Sequence, residues 1–432
     1  MQLLESIFKL KENKTDVRTE FFAALTTFMA MAYIIVVNPQ ILSETGMPFG
    51  SVLVATCVGA AIGCLLMAFL ANYPFALAPG MGLNAFFTYS VCLTMGISWK
   101  VALTAVFVEG VIFILLTMCK LRQEIVNSIP NTLKIGIAAG IGLFIAFIGL
   151  KSAGIVVDSP ATFITLGSLK DSPATILAIF GFLFMAVLSV YRVRGAILIG
   201  IIVVTIAGIP LGITKMPDAV VSTPPSLSPI FCQFDFSMLS QFNFWVIVFA
   251  FFFVDFFDTI GTLIGCSARA GLLDEKGRLP RAGSALMSDA IATVAGSALG
   301  TSTVTTFVES SAGVSQGGRT GLVAFFCAIF FLLAAFLNPL VMIVPGCATA
   351  PALIMVGVYM VLGLSKFDFK DWTEAIPGIL AMFMMPFAYS ISTGIEFGIV
   401  SYVVLKVATR KAKDVHWVMY VLCVLFILNH AL

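Results

Sequence analysis

The sequence predicts an all-α protein that crosses a membrane many times, and three observations support this fold class. Hydrophobic residues make up 60% of the 432-residue chain, charged residues only 11%, and the mean hydropathy is +1.07, which is far more apolar than a soluble globular domain. Apolar stretches of about 20 residues, the length that spans a bilayer as a helix, recur along the chain. Lys and Arg are concentrated in alternate loops between these stretches, as in membrane proteins of fixed orientation.

Twelve apolar segments and two shorter ones interrupted by glycine predict about fourteen crossings. The full-length segments are 20–37, 51–72, 100–119, 130–150, 173–190, 195–213, 243–265, 284–299, 320–338, 345–364, 373–390 and 394–409, and the short ones are 80–95 and 303–317. Counting the short segments as crossings keeps Lys and Arg on one side if residues 1–19 form a cytoplasmic N-terminus. The segment 410–432 is predicted to be either a further span or an interfacial helix.

The two halves of the chain carry a weak internal repeat. Three features recur at one constant offset: Ile129-Pro130, Gly142 and Lys151 correspond to Val344-Pro345, Gly357 and Lys366. The two segments are predicted to cross the membrane in opposite directions, as in an inverted repeat. Such repeats place interrupted helices at matching positions, with a substrate near the bilayer midplane. We therefore predict one repeat over 20–213 and a second over 243–409.

The run from Gly300 to Thr320 is too polar for an ordinary membrane helix, and it contains Glu309. Its β-branched stretch Thr301–Thr306 favours extended backbone, which cannot face lipid and must lie inside the protein. We expect it to pair with a second extended segment before Gly80. A carboxylate at this depth is costly unless it faces a cavity or a partner, so Glu309 marks a candidate binding site for a transported ligand.

Each extended segment is expected to lead into a half-helix, one near Asn84 and Ala85 and one over Glu309 to Ala312, including Ser310. Amide N–H groups at these helix starts would donate to a ligand, while Glu309 would accept from it. Phe307 would stack on a flat ring. The alternative for Gly80 and Gly82 is that they only allow close helix packing.

A second acidic pair lies in the apolar segment 243–265. Asp255 and Asp258 are three residues apart, so they share one helix face. Because buried carboxylates tend to exchange protons, Asp258 is predicted to couple transport to protons, with Asp255 in a supporting role or in a structural hydrogen bond. Glu109 and Asp289 are further acids in apolar segments, for which a structural hydrogen bond is an equal alternative.

Other classes of function are disfavoured by what the sequence contains. The nine Cys are scattered without a C-x-x-C pair and there are two His, so neither a metal site nor a cofactor is expected. A net charge of +2 gives no reason to expect a nucleic-acid partner. An enzyme would need a nucleophile, base or metal constellation, and a channel would need a continuous polar lining. Neither pattern is evident.

Three motifs together closely resemble the Azg-like purine permeases of the nucleobase-cation symporter superfamily. They are Ala78–Phe87, Val254–Thr262 and Gly300–Gly313, and the resemblance runs from about Phe21 to Ala412. It implies fourteen spans in two inverted seven-span repeats, divided into a core domain that holds the nucleobase and a gate domain. By this resemblance the core comprises 20–119 and 243–338, and the gate comprises 130–213 and 345–409.

The resemblance also implies roles for single residues. Glu309 matches the carboxylate that binds the base, Phe307 the stacking aromatic, Asn84 the polar residue that opens the third span and Asp258 the second acidic position. Thr262 stands where the related uracil branch has a His, so no His relay is expected, and Thr306 is assigned a supporting role with Asp255.

The resemblance implies import of a purine across the inner plasma membrane, coupled to protons. Edge matching favours guanine and hypoxanthine over adenine. Sodium coupling, a homodimer, and substrates of the uracil/xanthine or sulfate type stay open as alternatives.

Overall fold

The computed structural model describes residues 2–118, 130–169, 172–217, 219–272 and 279–431, and these residues are mostly helical. Ten helices within them are long and apolar enough to cross a membrane. Residue 119 of the predicted segment 100–119 and Ile129 of the internal repeat lie outside the described ranges.

The first half forms nine helices and three strands within its described residues. In chain order these are α1 (Gln2–Phe8), α2 (Val17–Met31), α3 (Ile34–Ser43), α4 (Phe49–Leu66), β1 (Leu77–Pro79), α5 (Met81–Ala85), α6 (Trp99–Met118), α7 (Asn131–Ser152), β2 (Val156–Ser159), β3 (Phe163–Leu166), α8 (Pro173–Val190) and α9 (Ala196–Gly208). Turns of π-helix over Met67–Ala71 and Phe86–Thr94 extend α4 and α5.

The second half forms nine helices and one strand within its described residues. These are α10 (Phe242–Ala270), α11 (Ala282–Leu299), β4 (Val304–Thr306), α12 (Ser310–Ser315), α13 (Gly321–Ala334), α14 (Asn338–Met342), α15 (Gly346–Val361), α16 (Trp372–Phe387), α17 (Ile391–Ala408) and α18 (Trp417–Ala431). Short 3₁₀ turns at Ala335–Leu337, Leu362–Lys366 and Ala412–Asp414 follow α13, α15 and α17.

Two features differ from the predicted helix pattern. The first predicted segment, 20–37, is divided by a break at Ala32 and Tyr33, and α3 continues to Ser43. Strands β2 and β3 form an exposed antiparallel hairpin that pairs Val156 with Leu166. The all-α prediction is therefore wrong for this connection, where the β-branched residues of Val156-Val157 and Phe163-Ile164-Thr165-Leu166 favour strands.

Strands β1 and β4 cross inside the protein as an antiparallel pair, which confirms the predicted pairing. Leu77 lies opposite Thr306, and Pro79 lies opposite Val304. Every residue of both strands is buried, and the amide of Gly80 donates to the carbonyl of Thr303 at 3.0 Å. A Cβ atom at Gly80 would lie 2.7 Å from Cγ2 of Thr305, so this crossing requires glycine. The pair satisfies backbone groups that lipid could not satisfy.

The helices pack into two groups. The first group surrounds the strand pair and contains α2, α4, α6, α10, α11, α12 and α13, and the second contains α7, α8, α9, α15, α16 and α17. Contacts of α3 with α15, α5 with α7, and α2 with α9 join the groups. Helix α18 packs on α17, and its Phe426 also contacts Phe249 of α10 at 5.9 Å between ring centroids. The strand crossing thus lies beside the boundary between the two groups.

Candidate functional site

The half-helices leave the strand pair at opposite ends. Helix α5 follows Pro79, which pairs with the first residue of β4, whereas α12 follows β4, whose last residue pairs with Leu77. Asn84 and Glu309 therefore follow opposite ends of the strand pair. The predicted site residues are accordingly grouped around Glu309 at one end and around Asn84 at the other.

Glu309 is the centre of the first cluster. It caps α12 and is half-buried, and its Oε1 atom accepts a hydrogen bond of 2.8 Å from the hydroxyl group of Tyr33. Asp258 of α10 lies within electrostatic range of Glu309 and of Tyr33. The Phe307 side chain, two residues before Glu309, is 6% exposed. The Glu309 carboxylate is thus in contact with the Tyr33 hydroxyl group, and the buried aromatic residue Phe307 is two positions away in the chain.

Tyr33 was not predicted from the sequence. It lies at the break between α2 and α3, is 1% exposed, and is also within electrostatic range of Tyr359 on α15. The Tyr359 hydroxyl group is 2.6 Å from that of Ser189 on α8. Tyr33 thus belongs to the helix group around the strands but faces a residue of the other group. The available sequence signal was a hydroxyl group in the middle of a predicted span.

The amides at the start of α12 are not free. Ser310, Ser311 and Ala312 donate their N–H groups to the carbonyls of Phe307, Val308 and Glu309, at 2.9 to 3.1 Å. The expectation of free amide donors near Ala312 is therefore wrong, because the chain closes a tight turn before the helix begins. The hydroxyl oxygen of Ser310 accepts from the amide of Ala76 at 3.0 Å, so in this structure Ser310 holds the strand crossing together.

Asn84 is the centre of the second cluster. It is fully buried, and its Oδ1 atom accepts a hydrogen bond from the Ser302 hydroxyl group. Its Nδ2 atom has no hydrogen-bond partner among the described residues, and the neighbouring Ala85 is 1% exposed. An unpaired buried amide is costly, so the Asn84 N–H₂ group is a donor that a ligand would satisfy.

The supporting residues bond to each other on the far side of β4. Asp289 of α11 accepts from the backbone amide and the hydroxyl group of Thr306, at 2.9 and 3.1 Å, and from the hydroxyl group of Thr259 at 3.0 Å. Asp255 is fully buried there, 3.4 Å from the Thr259 hydroxyl group. Thr262 is buried one turn after Asp258. Asp255 and Asp258 therefore face different surroundings although they share one helix.

The comparisons with known proteins agree with this architecture. The sequence profile of the xanthine/uracil permeases, described as "Permease family", matches residues 18–397. The chain is 44% identical to the adenine permease AdeP of Escherichia coli over 427 residues, which cover 99% of this chain and 96% of AdeP. It is also 44% identical to the guanine/hypoxanthine permease PbuG of Bacillus subtilis over 436 residues, covering 98% and 99%.

A solved structure shows the same fold at low sequence identity. The transmembrane domain of the cyanobacterial bicarbonate transporter BicA superposes with a TM-score of 0.61 at 16% identity, over 90% of this chain and 97% of that domain. Sequence and fold agree that this is a multi-pass membrane protein. The chain belongs to the xanthine/uracil permease family, and it is a transport protein rather than an enzyme.

Proposed function

We propose that this permease imports a purine nucleobase and that Glu309 binds the base. The observation that carries the proposal is the Glu309 carboxylate at the junction of β4 and α12, which is hydrogen-bonded to Tyr33 and follows the buried Phe307 by two residues. A carboxylate accepts from ring N–H groups and an aromatic ring stacks on a purine. The names of AdeP and PbuG, both similar over nearly the whole chain, support this ligand class.

The available donors favour oxopurines over adenine. With the α12 amides engaged and the Tyr33 hydroxyl hydrogen donated to Glu309, the unpaired buried N–H₂ donor among the described residues is that of Asn84, at the other end of the strand pair. Guanine and hypoxanthine present N1–H to a carboxylate and O6 and N7 to donors, whereas adenine carries an amino group at position six. AdeP is named for adenine and PbuG for guanine and hypoxanthine, and both are 44% identical to this chain. Adenine therefore remains the second candidate.

We further propose the fourteen-segment inverted repeat, with the helix group around the strands as the core and the other group as the gate. The recurring residues support it: Pro130 and Pro345 both cap a helix, α7 and α15. A Cβ atom at Gly142 of α7 would lie 2.8 Å from the carbonyl oxygen of Gly357 of α15, so the related helices touch at related glycines. Movement of the core against the gate would expose the site to either side in turn.

The orientation has a reporter in the native chain. We propose a cytoplasmic N-terminus, which places the connection between α9 and α10 outside, and Cys232 in that connection is exposed. A membrane-impermeant maleimide should label Cys232 in intact cells, and Cys232→Ala should remove the labelling. A Cys placed at Lys413 should label only after permeabilisation. The reverse pattern would contradict the orientation.

We propose Asp258 as the group that couples transport to protons, because it is a second buried carboxyl group within electrostatic range of Glu309, and two interacting carboxylates favour protonation of one of them. Asp258→Asn should keep purine binding but abolish accumulation driven by a pH gradient. If a sodium gradient, and not a pH gradient, drives purine accumulation by the wild-type protein, the coupling ion is sodium.

The function is tested with purified protein in liposomes. Labelled hypoxanthine uptake is competed with unlabelled guanine, hypoxanthine, adenine, uracil and a ribosylated purine, with and without an imposed pH gradient. We expect the first two to compete best, uracil and the nucleoside to compete poorly, and uptake to rise with acid outside. Adenine competing as well as guanine would remove the oxopurine preference, and failure of every purine would remove the proposed function.

A further inference from the structure

Behind β4 lies an acidic cluster that the proposed function does not use. We define it as Glu109 of α6, Asp255 of α10 and Asp289 of α11, which are all fully buried and lie within electrostatic range of one another. The other charged group that acts on it is Asp258, also an acid. In the part of the chain that the structure describes, the ion pairs formed by Lys and Arg lie elsewhere. The acidic cluster therefore has no cationic partner there.

The three carboxyl groups differ in their hydrogen bonds. Asp289 accepts three, from Thr306 and Thr259. Neither oxygen of Glu109 has a hydrogen-bond donor among the described residues, and the same is true of Oδ2 of Asp255. The polar neighbour of Glu109 is the carboxyl group of Asp255. Glu109 is thus a fully buried polar side chain that faces Asp255 across a gap in the hydrogen-bond network.

A proton is the ligand that fits this gap. An isolated carboxylate in an apolar interior is so costly that the group takes up a proton, and two facing carboxyl groups can share one, with one O–H donating to the other group. A metal ion would need more ligands, and no group of three His, Cys, Asp or Glu among the described residues is arranged to hold one. Asp289, with its three donors, is the member best able to remain ionised.

We propose that Glu109 and Asp255 together bind a proton, at a site separate from Glu309 and Asp258. The inference rests on the proposed function, because a proton bound here matters to transport only if its release changes the purine site. It assigns to Glu109 a role that the sequence motifs and the resemblance do not contain.

Thr259 connects the proton site to the purine site. Its hydroxyl group lies 3.0 Å from Asp289, 3.4 Å from Asp255 and 2.6 Å from the hydroxyl group of Thr305 in β4. When the proton leaves, the charge on Asp255 attracts the single hydroxyl hydrogen of Thr259 away from Asp289. Asp289 then relies on the two donors of Thr306, the residue before Phe307. Protonation behind β4 is in this way transmitted to the stacking ring.

The test compares Glu109→Gln with the wild-type protein and with Glu12→Gln, a matched change at an exposed residue that pairs with Lys9. Infrared spectroscopy at neutral pH, without purine, measures the carbonyl stretch of protonated carboxylic acids. We expect the same signal in the wild type and in Glu12→Gln, and in Glu109→Gln we expect the loss of the part due to the proton held by Glu109 and Asp255, while any part due to Glu309 and Asp258 remains. An unchanged signal in Glu109→Gln would overturn the proposal.

Transport gives a second readout. In liposomes, Glu109→Gln should lose purine accumulation driven by a pH gradient while retaining purine exchange without a gradient. Accumulation equal to that of the wild type would overturn the role in coupling. If Glu109→Gln does not yield monodisperse protein, Asp255→Asn removes the other half of the proton site and is judged by the same criteria. A wild-type protein that neither binds nor exchanges purines would refute the proposed function, whereas the infrared result would still decide whether the proton site exists.

Discussion

Two regions of the molecule bury charge, and they do so in opposite ways. At the ends of α16 and α17, Lys406 is 3% exposed, and its ammonium group lies 3.1 Å from Glu374 and 3.4 Å from Asp371, which also contacts Lys411. In the acidic cluster behind β4, three buried carboxyl groups have no cationic partner among the described residues. The ion network is balanced in charge, and the acidic cluster is not.

This difference separates structural charge from functional charge. A buried ion with its counter-ions gains little from a change of protonation, because each charge stabilises the other. A buried acid without a counter-ion and with few hydrogen-bond donors tends to bind a proton, and so it responds to pH and to neighbouring charge. We therefore expect changes in the ion network to alter stability, and changes around Glu309 and in the acidic cluster to alter binding and coupling.

The largest effect is expected from the ion network. The double substitution Asp371→Asn and Glu374→Gln leaves the buried Lys406 ammonium group without a counter-ion. Such a loss lowers the free energy of unfolding by about 3 to 5 kcal/mol for a fully buried pair. We expect a somewhat smaller loss here, because both acids are partly exposed. Thermal unfolding in detergent measures the loss. Adding Lys406→Met should recover most of it. Wild-type stability in the double variant would show that the network does not hold the two helices together.

The next effect is on ligand binding at Glu309. Glu309→Gln replaces a charged acceptor by an amide, and we expect purine affinity to fall by about 1.5 to 3 kcal/mol, or roughly 10- to 150-fold. Thermal stability should change little, because the Glu309 side chain is half-buried and, among the described residues, accepts a side-chain hydrogen bond from Tyr33 alone. Equilibrium binding of labelled purine to purified protein measures the affinity. A large loss of stability with unchanged purine affinity would show that Glu309 has a structural role and does not bind the purine.

A smaller effect is expected when the partner of Glu309 is removed. Tyr33→Phe keeps the ring and deletes the hydroxyl group that donates to Glu309 at 2.8 Å. Purine affinity should fall by about 1 kcal/mol, roughly fivefold, because water can replace part of the lost hydrogen bond at a half-buried carboxylate. Tyr359→Phe, on α15 across the helix boundary, is the matched control and should change affinity less. Equal effects of the two variants would mean that Tyr33 does not act through Glu309.

The backbone of the site was more predictable than its side-chain contacts. The β-branched run Val304–Thr306 and the glycines after Pro79 predicted a paired, extended crossing. Strand propensity depends on the residues of the segment itself, and extended backbone must find hydrogen-bond partners away from lipid. The break at Tyr33 was missed, because the residues around it are apolar and helical by composition. The partners of Asp289 depend on three elements that are distant in sequence, so no spacing rule could pair it with Thr306 and Thr259.

The same reasoning explains which spatial relations between the predicted site residues could be expected from the sequence. Glu309 and Phe307 are close in sequence, so their proximity follows from the chain itself. The position of Asn84 relative to Glu309 depends on the antiparallel register, which places α5 and α12 at opposite ends of the strand pair. The turn that engages the amide of Ala312 depends on backbone geometry that residue types do not determine.

The smallest predicted effect is a pH dependence confined to the ion network. The hydrogen bond from Thr373 holds the pKa of Asp371 below its usual range, and Lys406 adds to this effect. Because the folded-state pKa is depressed, the stabilisation is fully present above the unfolded pKa of about 3.9 and is lost as the pH falls below that value towards the folded pKa. The Asp371 side chain is partly exposed, and screening by solvent should therefore keep its contribution below about 1 kcal/mol. Unfolding temperatures of the wild type and of Asp371→Asn in detergent should therefore differ at pH 6 and converge under strongly acid conditions. Curves that stay parallel would show that the charge on Asp371 contributes nothing, and the ion network would then depend on Glu374.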